Sequence, residues 1–209
     1  MIYMYTGVPG SGKSLHAAQD VLDAVTKKGV TVIANFDCNR SMFDKGLFNR
    51  KEKGGFFYVP NRHLKPELLI KYSDIYYREH DFNENGLLLV IDEAQLMFNT
   101  RSWDEAGRDK WIYFFTNSRH FGYKVILITQ FAEMLDKQIR NICEIEINHR
   151  NMSNFGFAGK VISLLVGGKM YGCIGFFNGL KQRISIQYVF GRRHLYKFYD
   201  SYDTESFKR

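Results

Sequence analysis

The chain has 209 residues, 45% of them hydrophobic and 16% aromatic, which predicts one folded domain with a substantial core and excludes a disordered protein. Three cysteines far apart and six scattered histidines predict neither a disulfide framework nor a zinc site, and they favour a reducing cytoplasm. The formal net charge is +7. The longest apolar runs, at 87–91 and 161–166, are shorter than the ~18–20 residues that span a bilayer, so we expect the chain to be soluble as given.

A phosphate-binding motif follows the first predicted strand. Residues 1–6 form an apolar, aromatic strand, residues 7–14 read GVPGSGKS, and residues 15–25 form an amphipathic helix. The glycines let backbone N–H groups point at phosphate oxygens, and the helix adds the positive end of its dipole. We expect Lys13 to reach the terminal phosphates and the Ser14 hydroxyl to bind Mg²⁺. The alternative is a glycine-rich turn with a chance GKS, but strand, loop and helix together predict a nucleoside triphosphate site. Its expected nucleotide-binding residues are Gly7, Pro9, Gly10, Ser11, Gly12, Lys13 and Ser14.

The next elements follow the same alternation of strand and helix. The first helix is expected to end at 27–29, where two lysines precede a glycine. A strand rich in branched residues follows over 30–35, then a charged loop or insertion over 40–54 and a short strand over 55–59. Pro66 suits the first turn of a helix that is predicted to run to Glu79.

An acidic pair follows the most apolar five-residue run of the chain. Residues 87–91 read LLLVI, which is typical of a strand buried on both faces of a parallel sheet, and Asp92 and Glu93 come directly after it. Ligands bind at this edge of open α/β sheets. We therefore expect Asp92 to join Ser14 in the Mg²⁺ shell and Glu93 to polarise an attacking water. The alternative is a solvated turn. A carboxylate base here favours hydrolysis over transfer to a small-molecule acceptor.

The remaining elements of the core complete the predicted sheet. A helix over 104–120 and a strand over 124–129 are followed by a short helix over 132–141 and a strand over 143–148. Strands alternating with helices predict a doubly wound, mostly parallel α/β sheet of the P-loop NTPase type.

Three further side chains are candidates for catalysis. Gln130 ends the strand over 124–129, and if that strand lies between the phosphate-loop strand and the acidic strand, its amide faces the terminal phosphate. The alternative for Gln130 is an ordinary polar residue at a strand end. Arg119 and Arg140 are candidates for neutralising charge in the transition state. Spacing fixes neither arginine: each can reach the nucleotide of a neighbouring subunit or be a solvated charge at a helix end.

The C-terminal part of the chain differs in charge and composition. Residues 1–149 contain 19 Lys and Arg against 19 Asp and Glu, whereas residues 150–209 contain 10 against 3. We predict an ATPase core over 1–149 and a basic, aromatic, β-rich extension over 150–209 that packs on it and ends in a short helix. Such a segment can bind nucleic acid phosphates or anionic headgroups. The alternative is that the aromatics form a small core and the lysines keep it soluble.

The motifs together resemble the zonula occludens toxin (Zot) domain family. The resemblance covers nearly the whole chain and rests on GVPGSGKS, LLLVIDEAQLMF followed by Arg101, NSRHFGYKVILITQ, IRNICEIE, and Tyr199-Asp200 in FYDSYDT. The family includes the inner-membrane assembly ATPases of filamentous phages and is similar to the FtsK/HerA class of DNA-pumping ATPases. By this resemblance Lys13, Ser14, Asp92, Glu93 and Gln130 take the family's roles, and Arg119 becomes the better arginine-finger candidate.

The resemblance implies hydrolysis of ATP with Mg²⁺ in a homo-oligomer, for which a hexameric ring is one arrangement. It further implies a motor for phage assembly that exports DNA or virion, acts with phage DNA or coat and assembly proteins, and lies in the host cytoplasm at the inner membrane face. Family members usually continue into a transmembrane helix and an outer segment, neither of which this sequence contains. One alternative is a nucleotide-gated module that recruits coat or membrane partners without translocation. A weaker one is a small-molecule phosphotransferase.

Overall fold

The computed structural model describes residues 1–44, 54–99, 105–154, 169–180 and 182–199. The strands in these ranges are β1 (Ile2–Thr6), β2 (Thr31–Ala34), β3 (Phe56–Tyr58), β4 (Leu87–Ile91), β5 (Tyr123–Ile128), β6 (Ile145–Asn151), β7 (Met170–Phe177) and β8 (Arg183–Phe190). The α-helices are α1 (Lys13–Asp23), α2 (Ser41–Asp44), α3 (Pro66–Glu79), α4 (Glu105–Thr116), α5 (Lys137–Ile142) and α6 (Arg193–Phe198). α1 continues as a π-helix over Ala24–Lys28, and short 3₁₀ turns occupy Ala94–Leu96, Ala132–Met134 and Met152–Asn154.

The described strands form one sheet in the order β3-β2-β4-β5-β1-β6-β7-β8. The pairs from β3 to β6 are parallel, and β7 and β8 join the β6 side as antiparallel strands. The prediction of a mostly parallel α/β sheet is therefore confirmed. β7 and β8 add to the sheet of the ATPase core, and the division at residues 149 and 150 stays a prediction.

Helices cover both faces of the parallel part, which explains why β4 at its centre is apolar throughout. Leu88 and Val90 of β4 belong to the hydrophobic cluster that contains residues of α1 and α6. Leu87, Leu89 and Ile91 belong to the cluster that contains residues of α3, α4 and α5. Successive strand residues point to opposite faces, so burial on both sides requires an uninterrupted apolar run.

Most predicted elements agree with the structure to within two residues. The largest difference is the helix predicted over 132–141, which is a 3₁₀ turn over Ala132–Met134 followed by α5. Asp136 separates the two pieces because its carboxylate accepts a hydrogen bond from Gln138 N at 2.8 Å and caps α5. The helix predicted to reach residue 120 ends at Thr116, and turns lead from there to β5.

Several sequence features lie outside the described residues. They are part of the charged loop (45–53), Arg101, the apolar run at 161–166, and Asp200 with the residues after it. Among the described ranges, no helix is both long and apolar enough to cross a membrane.

Candidate active site

The sheet order brings the predicted site together at one edge. β5 lies between β1 and β4, and all three strands run parallel. The loop after β1, the acidic pair after β4 and Gln130 after β5 therefore meet at the carboxyl edge, where ligands bind in such sheets. This is the strand order on which the expectation for Gln130 depended.

Two glycines allow the phosphate loop (residues 7–14) to form. Gly7 has φ 143°, and a Cβ added there would lie 2.5 Å from the His149 carbonyl oxygen. Gly12 precedes α1 with φ 96°, and a Cβ there would lie 2.5 Å from the ring of Tyr171. Both positions thus need glycine for backbone conformation and for space.

Polar groups of the phosphate loop are placed for an anionic ligand. The Lys13 ammonium is 8% exposed and donates to the carbonyl oxygens of Gly7 at 2.6 Å and Val8 at 3.3 Å. Burial lowers the pKa of Lys13, while the carboxylates of Asp92 and Glu93 oppose that shift. The Ser11 hydroxyl is buried without a hydrogen-bond partner among the described residues. A buried polar group without a partner is costly, and a phosphate oxygen is a partner that fits this loop.

Asp92 is fixed at the end of β4 by its neighbours. The side-chain amide of Asn35, which follows β2, bonds both backbone groups of Asp92. Asp92 N donates to Asn35 Oδ1 at 2.7 Å, and Asn35 Nδ2 donates to Asp92 O at 2.8 Å. The carboxylate accepts hydrogen bonds from Ser14 Oγ at 3.3 Å, Tyr199 Oη at 2.8 Å and Glu93 N at 2.8 Å. Burial raises the pKa of Asp92, and the Tyr199 hydroxyl opposes that shift most strongly. A hydroxyl and a carboxylate side by side are hard oxygen ligands that fit Mg²⁺.

Glu93 has a strained backbone. Its φ of 49° and ψ of 47° are left-handed, and it is the non-glycine residue with positive φ among those described. This conformation costs about 1–2 kcal/mol relative to a right-handed backbone. Gln95 Nε2 donates to Glu93 Oε2 and holds the carboxylate. Strain of this kind clusters at functional sites.

Gln130 borders the phosphate loop. Its carbonyl oxygen accepts a hydrogen bond from Gly7 N at 3.0 Å. It also lines a cavity of about 500 Å³ together with Gly7, Val8 and Arg150. Arg150 is exposed at the end of β6 and was missed by the sequence analysis, although it follows a predicted strand in the same way as Gln130.

The two arginines singled out from the sequence lie elsewhere. Arg119 precedes β5 and forms an ion pair with Glu144, which precedes β6. Both therefore lie at the amino edge of the sheet, about 16 Å from the phosphate loop across the five residues of β1. Arg140 lies in α5, whose end leads to the same edge. Within one subunit the structure does not bring Arg119 to the nucleotide site, and a role at a neighbouring subunit's site stays a prediction.

Two buried histidines support the phosphate loop from below. His149 Nδ1 lies 3.2 Å from Thr6 O and 3.0 Å from Ile147 O, so this nitrogen carries the proton. His149 Nε2 then accepts from His16 Nδ1 at 2.8 Å. Cys173 lies beside both rings, and the three ligand atoms are within 4.8 Å of one another. Because the two ring nitrogens already bond each other, we assign this group a structural role. The register of β6 and β7 pairs His149 with Cys173, and His16 reaches them from α1.

Acid is expected to destabilise the protein through His149. Burial and the neighbouring His16 lower the pKa of His149 to about 3, whereas an unfolded histidine titrates near 6.5. Below pH ~6.5 the unfolded chain binds a proton that the folded chain does not, so stability is lost as pH falls from ~6.5 towards 3, by up to about 1.4 kcal/mol per pH unit. Urea unfolding between pH 4 and 8 should show a smaller pH dependence in His149→Asn than in the parent. Equal slopes would contradict a buried neutral His149.

Comparison with known protein families gives a match over almost the whole chain. The family model described as Zonular occludens toxin (Zot) matches residues 1–205. The Gene 1 protein of Enterobacteria phage M13 is 28% identical over 212 residues, which cover 96% of this chain and 59% of that protein. The chain thus spans less than two thirds of the length of this relative.

Solved structures share the fold. The N-terminal domain of zonular occludens toxin from Neisseria meningitidis has a TM-score of 0.54 and 14% identity, over 96% of this chain and 98% of that one. The genome packaging NTPase B204 of Sulfolobus turreted icosahedral virus 2, solved with ATP-gammaS, has a TM-score of 0.54 and 17% identity, over 90% of this chain and 95% of that one. At these identities the likeness establishes the P-loop NTPase fold.

Proposed function

The chain belongs to the Zonular occludens toxin (Zot) family, and from this premise we propose that it is an ATP-hydrolysing motor domain for phage assembly. The observation that carries the proposal is the meeting of a complete phosphate loop, Asp92 and Glu93 at one edge of the sheet. The match to a phage Gene 1 protein supports the role in assembly. The resemblance to the filamentous phage assembly ATPases supports export of DNA or virion at the cytoplasmic face of the host inner membrane.

Binding follows from the groups of the phosphate loop. Lys13 exchanges its bonds to the Gly7 and Val8 carbonyls for phosphate oxygens, and Ser11 gains the partner that its buried hydroxyl needs. The backbone N–H groups at the start of α1 bind the same anion. Ser14 and Asp92 would hold Mg²⁺, which would neutralise charge on the phosphates.

Hydrolysis follows from the carboxylate of Glu93. Glu93 has a left-handed backbone and Asp92 does not, and we assign the two adjacent carboxylates different tasks. Asp92 belongs to the metal side, while Glu93 orients and deprotonates water, with Gln95 holding its position. Gln130, which borders the loop at the end of β5, contacts the γ-phosphate or this water.

In this proposal the active form is a homo-oligomer, with a hexameric ring as one arrangement. The proposed partners are phage DNA or coat and assembly proteins. The exposed cations Arg192, Arg193 and Lys197 on and beside α6 offer a surface for an acidic partner.

A single assay tests the motor against the alternative. ATP turnover per subunit should rise with protein concentration, because a site shared between subunits is complete only after assembly, and should rise further when single-stranded DNA is added. The same protein sample with double-stranded DNA and with no DNA provides the comparison. A slow rate that depends on neither concentration nor DNA would instead identify a nucleotide-gated interaction module.

Mixed oligomers test whether Arg119 acts across the interface. Glu93→Gln and Arg119→Ala subunits should each be inactive alone but recover up to about a quarter of parent activity when mixed equally, the share of interfaces with both groups intact in a ring. Arg140→Ala and Arg150→Ala subunits are tested in the same way. If a verified mixed oligomer with Arg119→Ala shows no recovery while Arg150→Ala does, the finger is Arg150.

A further inference from the structure

The C-terminal end of the described chain is fastened beside the phosphate loop. Leu195 and Phe198 of α6 are buried in the cluster that includes α1. The Phe198 carbonyl oxygen accepts a hydrogen bond from Asn39 N at 2.8 Å. The Phe198 ring packs edge-on against the ring of Phe43, with centroids 5.4 Å apart. The helix is thereby held over the carboxyl edge of the sheet.

The next residue, Tyr199, reaches into the active site. Its ring packs on Phe36 with centroids 4.5 Å apart, and its hydroxyl donates to Asp92 Oδ2 at 2.8 Å. The contact joins residues 107 positions apart in sequence. Tyr199-Asp200 was singled out by the family resemblance, but the proposed reaction gives it no task.

The Tyr199 hydroxyl donates to the same oxygen of Asp92 as Ser14 does, and Ser14 and Asp92 are the residues proposed to hold Mg²⁺. Asp92 Oδ2 accepts from both Ser14 and Tyr199, while Oδ1 accepts from Glu93 N. An ionised carboxylate oxygen offers about two lone-pair positions, so both on Oδ2 are filled. An ion held by the Ser14 hydroxyl would be close to the oxygen of Asp92 to which Ser14 donates, so the ion or its bound water would compete with Tyr199 for Oδ2. The Ser14 hydroxyl can bind an ion through its oxygen and still donate its proton to Asp92. Tyr199 is therefore the donor that we expect to leave Oδ2.

We propose that Tyr199 is a positioning residue that holds Asp92 in the absence of magnesium and nucleotide and is released when they bind. A carboxylate that is 5% exposed needs polar partners, and the Tyr199 hydroxyl supplies one of them, beside Ser14 and Glu93 N, that a bound metal would replace. Release of Tyr199 removes one of the contacts that hold the end of α6, so nucleotide binding is coupled to the docking of the C-terminal segment, residues 193–199. Linkage is reciprocal: whatever pulls the segment away tightens binding of the magnesium nucleotide. The proposal rests on the proposed nucleotide site.

The Tyr199→Phe variant of the full chain tests the coupling, because it keeps the ring on Phe36 and removes the hydroxyl. With a fluorescent non-hydrolysable ATP analogue and Mg²⁺, the variant should bind about 2- to 10-fold more tightly than the parent, the worth of one competing hydrogen bond. With EDTA in place of Mg²⁺ the two proteins should bind equally. Tyr196→Phe is the matched control. It removes a tyrosine hydroxyl from the same helix, α6, but that hydroxyl bonds the hydroxyl of Tyr171 at 3.1 Å and not Asp92.

Hydrogen exchange gives a readout that does not depend on affinity. In the parent, the amides of residues 193–199 should exchange faster when the ATP analogue and Mg²⁺ are added. In Tyr199→Phe they should exchange fast even without these ligands. Equal or weaker binding of the magnesium analogue by Tyr199→Phe, or unchanged exchange in the parent, would overturn the proposal. A parent that binds no nucleotide at all would instead contradict the proposed function.

Discussion

Replacing Lys13 by alanine is expected to abolish detectable nucleotide binding. The ammonium is the cation of the proposed phosphate site, and it donates hydrogen bonds to the loop carbonyls of Gly7 and Val8. Removing one partner of a buried charged hydrogen bond costs about 2–5 kcal/mol, and the phosphates would then face only backbone dipoles. Calorimetric or fluorescence titration with an ATP analogue and Mg²⁺ measures the loss.

The matched control for Lys13 is Lys71→Ala, which removes an exposed lysine of α3. It should bind nucleotide as the parent does. Thermal melting must show that Lys13→Ala is folded, which we expect because the removed ammonium contacts only carbonyl oxygens of its own loop. Binding of comparable strength by a folded Lys13→Ala variant would contradict the phosphate-site assignment.

Replacing Glu93 by glutamine should lower turnover about 10²- to 10⁴-fold, the usual effect of losing a positioned base, while nucleotide binding is retained. The amide keeps the size of the side chain and can still contact Gln95, but it cannot take a proton from water. Single-turnover hydrolysis and analogue binding, measured on the same sample, separate the two effects. Glu79→Gln, at the exposed end of α3, is the control.

The backbone of Glu93 offers an independent check on the same residue. Glycine adopts φ 49° without strain, whereas alanine does not, so Glu93→Gly should be more stable than Glu93→Ala by about 1 kcal/mol. Both should be as inactive as Glu93→Gln, because neither carries a base. Normal hydrolysis by any of the three would remove Glu93 from the mechanism.

Local features of the chain were predictable because short-range physics determines them. The glycines and Gly-Lys-Ser of residues 7–14 dictate a loop between a strand and a helix whatever packs around it. The run LLLVI at 87–91 must be buried on both faces, which places Asp92 and Glu93 at a strand end. The helix from Pro66 to Glu79 was predicted at its observed bounds because proline starts it and its apolar positions recur on one face. The alternation of such elements was enough to predict the α/β class.

The tertiary structure alone decided what surrounds these motifs. Strand order is set by packing of the whole sheet, and it placed β5 beside β1 so that Gln130 borders the phosphate loop, while Arg119 lies at the opposite edge. The partners of Asp92, namely Asn35 and Tyr199, are 57 and 107 residues away in sequence, and no local pattern marks them. The sequence by itself determined the strand, loop and helix of the proposed phosphate site and the position of the acidic pair after a strand, because neighbouring residues suffice for both. Contacts between distant segments depend on how every strand and helix packs, so only the folded chain defined them.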